Sequence, residues 1–387
     1  MIKNISIGIE IGSAKTRVVV GEIIKGEKYP KIIGIGESET LGARHGFITN
    51  PSQTKESILK AVQIAERTAG IKIKRGAVAL GGMTLSSVTL SGESIVSKPD
   101  GDVTTLDVDK ALEDAESNLS FGNKKIINIF PLSFKLDGKE IIGRPEGMKG
   151  TKLEVKALFI VCSTNHFENL IEAVTLAGIE PVSIVPSPLS SANLILSDKQ
   201  KIVGTALVDI GMETVTLSVF ENESVISIHT FSIGSSDITN DIALGLKVSL
   251  EKAEEMKITS GDTEQYKKKL NEIIEARLSD IFELIEKHLK KIKKNELLPA
   301  GIVFVGGGAN IKNLTELSKN ILKLPSRIGT TEMFGNNTKT KLRDPSWFTT
   351  LGLLNYSDED YVGNNSSTNL LQSLKRAIRA GIKQLMP

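Results

Sequence analysis

The chain has one cysteine, Cys162, so it cannot form an internal disulfide. That thiol adjoins the apolar run Ala157–Val161 and reads as a buried structural group in a reducing compartment. Aromatic residues make up only 4% of the sequence, so Ile, Val and Leu must fill the core. His45, His166, His229 and His288 are scattered and adjoin no acid or cysteine cluster, so no metal site is read in them. No Ser/His/Asp arrangement stands out. No run reaches the ~18–20 apolar residues that a membrane-spanning helix needs. The opening MIKNISIGIEIG alternates like a strand and carries an acid, unlike a signal peptide. A soluble or peripherally attached protein is expected. The net charge of +2 is too small to imply a nucleic-acid partner.

What the chain does have is a repeated phrase. IGIEIGSAKTRVVVGEI, from Ile7, returns as TALVDIGMETVTLSVFENE, from Thr205. Aligning Glu10-Ile11-Gly12 with Asp209-Ile210-Gly211 also places Val18 over Leu217 and Val20 over Val219. Each copy reads as strand, tight turn, strand, with a carboxylate at the strand end. Two such turns suggest two halves clasping a phosphate and its metal. At 387 residues the chain suits two or three domains of roughly 150 residues each.

The first turn, Gly12-Ser13-Ala14-Lys15, offers backbone N–H donors and a cation to phosphates. The second repeats the pattern with Asp209, Gly211 and Thr214. Glu10 or Asp209 could face a hydrated Mg²⁺, which needs only one or two carboxylates. Alone, each turn is also an ordinary β-hairpin; the repetition favours a site. A third element, Ile302–Gly308, runs an apolar strand into Gly306, Gly307 and Gly308. Glycines let a backbone approach a ligand closely, as beneath a nucleoside, although a tight strand-to-helix turn would use them too.

Further strands are expected at Lys31–Ser38, Val78–Leu80, Thr84–Ser97, Lys125–Leu136, Lys152–Cys162 and Glu223–Phe231. Helices are expected at Ser52–Ala69, Leu106–Leu119, His166–Ala177, Ser236–Leu244, Leu250–Met256 and Leu270–Lys294. In the last, Leu270, Ile273, Ile274, Leu278, Ile281, Phe282 and Ile285 keep helical spacing. The segment from Met83 to Gly150 changes texture and reads as a small α+β insertion.

Near the C-terminus, residues 356–369 are polar and core-poor, as in a linker. Residues 370–387 then place Leu371, Leu374, Ile378, Ile382 and Leu385 on one helical face. Lys375, Arg376, Arg379 and Lys383 lie on the flank and back, with no acid in the segment. A docked terminal helix or a coiled-coil strand could share this pattern. The single charge sign and the polar linker favour an anionic membrane surface.

Turn, turn and glycine strand in this order resemble the actin/Hsp70/sugar-kinase superfamily. Its connecting helices would fall at Pro188–Leu196 and Ser346–Leu354. Nearly the whole chain further resembles the bacterial cell-division family FtsA, through HGFITN, VALGGMTLSSV, LEVKALFIVCS, SDITNDIALGL, EEMKI, LPAGIVFVGGGANI and LGLLNY in order. The resemblance implies an α/β fold of duplicated actin-like (ribonuclease-H-like) domains around a nucleotide cleft, with an FtsA-type 1C insertion. Subdomain 1A would comprise residues 1–82 and 152–200, 1C residues 83–151, 2A residues 201–235 and 300–355, and 2B residues 236–299. It implies ATP with Mg²⁺, Glu254 and Lys257 at the ribose or base, and Gly307 and Gly308 beneath adenine. It also implies membrane-bound filaments at the division site, the FtsZ C-terminal tail on 2B, and other division proteins on 1C. The basic run Lys290–Lys294 reads as a solvated helix end, and the resemblance implies that it could contribute to holding the FtsZ tail on 2B.

Two departures matter. Glu10 replaces the superfamily's commoner Asp, and DIGMETVTL lacks the further glycines usual in relatives. Glu213 adds negative charge beside the expected γ-phosphate, so its side chain is expected to turn to solvent and hydrolysis to be slow at most. Other readings are a PilM-like scaffold of type IV pilus assembly and a superfamily sugar or acetate kinase. The kinase would need a general base for which no candidate is found outside the turns.

Overall fold

The computed structural model describes residues 4–119, 122–259, 264–333 and 340–356. The basic helical pattern and its linker therefore lie outside the described residues.

The first repeat forms β1 (Ile5–Ile11) and β2 (Lys15–Glu22), followed by β3 (Lys31–Glu39). A small hairpin follows, β4 (Ala43–Arg44) and β5 (Phe47–Ile48). Helix α1 (Pro51–Ala69) starts with proline in its first turn, and the Asn50 side chain accepts the Gln53 N–H. Strand β6 (Arg75–Leu80) follows.

The insertion contains β7 (Ser86–Ile95), α2 (Thr105–Ser117), β8 (Lys124–Leu136), β9 (Lys139–Ile141) and β10 (Lys152–Ser163). Strand β10 pairs antiparallel with both β7 and β8. The inserted sheet thus runs through Ser163, beyond the boundary at 151 read from the sequence. Its middle strand is the apolar run itself, and burial pushes the Cys162 thiol up to about 12.

The chain then returns through α3 (Thr164–Leu176), β11 (Glu180–Pro186), α4 (Ser187–Ile195) and α5 (Asp198–Val203). The second repeat forms β12 (Thr205–Ile210) and β13 (Val215–Glu221), with β14 (Ser224–Phe231) beside them. Helices α6 (Ser235–Leu246), α7 (Leu250–Thr259) and α8 (Glu264–Lys291) follow. The chain continues through β15 (Ile302–Val305), α9 (Leu314–Leu322), β16 (Ser326–Ile328) and the short α10 (Phe348–Gly352). On α8, Leu270, Leu278, Ile281, Phe282 and Ile285 are fully buried, so its apolar stripe faces the core.

The two halves repeat each other in topology. The first sheet has the order β11-β6-β1-β2-β3, and the second half lays down β16-β15-β12-β13-β14 in the same sense. In each, the hairpin pair is antiparallel and the fourth strand joins the first in parallel. The inserted sheet attaches to the second one at a single pairing, His229 with Ser86, extending it to nine strands. Each half thereby ends its first strand at the same place, against the other half. Among the described residues, no helix is long and apolar enough to cross a membrane.

Candidate functional site

The two turns share one geometry. The Gly12 N–H donates to the Lys15 carbonyl at 3.0 Å, and the Gly211 N–H to the Thr214 carbonyl at 2.8 Å. Their ladders are in the same register, with Glu10 opposite Arg17 and Asp209 opposite Thr216. A Cβ on either glycine would lie 3.1 Å from the carbonyl oxygen that its N–H bonds, a tight approach.

The glycine turn after β15 sits on the end of β12. Gly306 has φ +82°, and a Cβ there would overlap Asp209 Oδ1. A Cβ on Gly308 would overlap the Ile210 side chain. Packing against the second turn therefore dictates these two glycines. Gly307 differs, with its nearest neighbour, Ser346 Cβ, 4.0 Å from an added Cβ. It leaves bare backbone at the wall.

These elements enclose a cavity of about 490 Å³, within the range of small-ligand sites. Glu10, Gly12, Ser13, Ala14 and Lys15 line one side, and Asp209 and Gly211 the other. Gly306, Gly307 and Gly308 form one wall, with Glu254 and Lys257 at the far end. Thr214 instead lines a smaller space of about 80 Å³ behind the turns, together with Ser187. Lys257 Nζ donates to Glu254 Oε2 at 2.7 Å, to Thr239 Oγ1 at 2.8 Å and to the Ser235 carbonyl at 3.0 Å. The pair expected from the EEMKI segment is thus anchored onto α6.

Glu10 and Asp209 form the electrostatic centre. Burial raises the Glu10 carboxyl, and the neighbouring Arg17 charge opposes that rise. Asp209 is pushed up to about 7, by burial first and by the Glu10 charge second. Two neighbouring, partly buried carboxylates, one from each half, suit a hard divalent cation, whose charge would let both ionise. The donor chemistry therefore fits Mg²⁺.

The sequence reading missed several groups here. Arg17 lines the cavity, has a side chain 15% exposed and acts on both acids. Its Nε bonds Glu37 at 3.0 Å, and its guanidinium lies 5.3 Å from the Trp347 ring centre. Lys15, the expected cation, is at the rim, 38% exposed and 3.8 Å from Glu39. Strand alternation alone puts Lys15 and Arg17 on one face, so the pattern held both. The hydroxyls of Thr349 and Thr350 on α10 had no sequence signal.

One expectation is corrected. The Glu213 carboxylate does not turn to solvent: it accepts the His45 backbone N–H at 2.6 Å. His45 Nδ1 also lies 3.1 Å from the Glu213 carbonyl oxygen. The His45 N–H of the β4–β5 turn draws the acid inward, where a charge–dipole bond outweighs hydration. Lys294, in the basic run expected to be solvated, is bound by both Glu221 oxygens at 2.6 Å.

Comparisons with known proteins agree with this architecture. Residues 206–352 match the family model for cell division protein FtsA, and residues 82–161 match the SHS2 domain inserted in FtsA. The chain is 30% identical to cell division protein FtsA of Bacillus subtilis, over 91% of this chain and 83% of that one. It is 27% identical to the Pseudomonas aeruginosa protein of the same name, over 96% and 97%. Among solved structures it is similar to a PilM–PilN type IV pilus biogenesis complex (TM-score 0.68, 17% identity, 90% of this chain and 97% of that one). It is also similar to MreB5 of Spiroplasma citri bound to ADP (TM-score 0.52, 14% identity, 90% and 94%). At those identities the structural likeness speaks for an actin-like fold alone. The repeated turns, the insertion and the relatives together make the chain a member of the FtsA family of cell division proteins.

Proposed function

We propose that this protein binds ATP with Mg²⁺ in the cleft between its halves and assembles into actin-like filaments on the cytoplasmic face of the membrane. There it anchors FtsZ at the division site. The observation that carries this reading is the meeting of both repeated turns, the glycine turn and the Glu254–Lys257 pair on one cavity. Gly12, Ser13, Ala14, Lys15 and Arg17 would hold phosphates from one side and Gly211 from the other. Glu10 and Asp209 would face Mg²⁺ through water. Glu254, Lys257 and Gly306–Gly308 would hold the nucleoside. The cation neutralises the developing phosphate charge when bound. Subdomain 2B, with Leu244 and Leu250 exposed, offers an apolar surface suited to the FtsZ tail. Residues 370–387 would lie in the membrane surface, and 1C would meet other division proteins.

The test is sedimentation with anionic lipid vesicles, comparing the full chain with one ending at Asn369, alongside ATP titration of each. The full chain is expected to pellet with vesicles, and the shortened chain to stay in solution while still binding ATP. If both stay in solution, the membrane anchor is lost and a PilM-like scaffold is favoured. A sugar that stimulates ATP turnover would favour a kinase.

A further inference from the structure

The two acids belong to different halves, yet both lie against neighbouring residues of one short helix. Thr350 Oγ1 donates to Glu10 Oε2. The Thr349 hydroxyl, one residue earlier on α10, sits beside the Asp209 carboxyl and opposes the rise of its pKa. Thr349 Oγ1 also lies 2.8 Å from Ser191 Oγ on α4, and Ser190 Oγ donates to the Thr349 carbonyl at 2.7 Å. These four hydroxyl residues are buried. A carboxylate can only accept, and a threonine hydroxyl has one proton. Thr350 thus gives its proton to Glu10, and Ser191 Oγ donates to the Ser187 carbonyl at 3.2 Å.

We propose that Thr349 and Thr350 are positioning residues for the divalent cation. Each fixes the rotation of one carboxylate, and their common helix sets the spacing between the acids. Gly352 of α10 packs on the Ser190 backbone, so the helix is seated firmly against α4. Partners of ligating groups commonly govern metal affinity by 10- to 100-fold. A cluster of buried, partnered hydroxyls suits that task. This inference rests on the nucleotide reading and specifies how its metal is held.

The experiment titrates ATP with excess Mg²⁺ and again with EDTA, for the parent, Thr349→Val, Thr350→Val and the two serine variants. Valine keeps the shape and removes the hydroxyl; serine restores it. The valine variants are expected to lose about 10- to 100-fold of the Mg²⁺ enhancement. Their affinity in EDTA should stay within about twofold of the parent, and the serine variants should recover most of the enhancement. Full enhancement in both valine variants overturns the inference, with nucleotide binding intact. So does an equal loss with and without Mg²⁺, which would mean a structural role only. Failure of the parent to bind ATP overturns the nucleotide reading itself. Thermal melts of all five proteins identify a variant that fails to fold, and the matching serine variant then decides.

Discussion

Glu213 and His45 are hydrogen-bonded across the cleft, the carboxylate of one accepting the backbone N–H of the other at 2.6 Å. They are 168 residues apart in sequence and sit in opposite halves of the molecule. The same small turn is held from the first half, where the Gly46 N–H donates to Ser13 Oγ at 2.9 Å. Its other neighbour is the start of the insertion, because the Met83 N–H donates to the His45 carbonyl at 3.0 Å. His45 itself has φ +49°, a backbone state that needs such support. A carboxylate beside the proposed phosphate site is thus occupied with a donor instead of facing the cavity.

Glu213→Ala should loosen this clasp. A hydrogen bond to a charged group contributes about 1.5 kcal/mol, so the His45 amide should exchange with deuterium roughly tenfold faster. Glu213→Gln keeps an acceptor and should exchange close to the parent rate. Hydrogen exchange resolved over residues 42–49 measures this. Unchanged protection in the alanine variant would mean that the hairpin is held by Ser13 and Met83 alone.

Arg17 and Lys15 make opposite predictions about which cation serves phosphate. Arg17 is shielded and directly opposite Glu10, so its charge acts through little solvent. Lys15 is at the rim and screened. Arg17→Ala should weaken ATP binding by about tenfold or more, and Lys15→Ala by less than about threefold, the scale of a screened charge. Arg17→Lys should retain part of the affinity, losing the fork held by Glu37. Titration with a fluorescent ATP analogue checks the order. The reverse order would return the role to Lys15.

His166 sets an acid limit on stability. It is 2% exposed, with Nδ1 2.7 Å from Thr84 Oγ1 and its ring centre 5.0 Å from that of Phe47. Burial lowers its pKa from 6.5 to about 4, and a bond with the Gly46 backbone opposes the shift. Below pH 6.5 the unfolded chain takes up a proton that the folded chain refuses until about pH 4. Stability therefore falls as pH drops through that window, by up to about 3 kcal/mol for this group. His166→Gln should cost stability at pH 7, and its deficit against the parent should narrow toward pH 4. A deficit constant with pH, measured by urea unfolding, would assign the acid loss elsewhere.

Much of this site was legible because its signals are local. A carboxylate, a glycine and a flanking strand fall within a dozen residues or so, and strand alternation aligns both copies to the same register. The glycine strand is legible for the same reason, although its glycines prove to answer different needs. Gly306 and Gly308 make room for Asp209 and Ile210, and only Gly307 leaves open backbone. The length of the insertion was read less well. Strand β10 continues the main chain's apolar pattern without a break, and only its pairing with β7 and β8 assigns it to the inserted sheet.

The sequence by itself determined the duplication, the paired acids, the glycine turn and the family likeness, since each depends on spacing within a short stretch. Tertiary structure alone decided that Arg17 faces the acids, that Glu213 reaches His45, and that Thr350 holds Glu10 from 340 residues away. The physical reason is that periodicity records which face a side chain takes, whereas a hydrogen bond depends on what the fold brings opposite it. Residues far apart in the chain share no period, so their meeting is written only in the packing of α10 against the two turns.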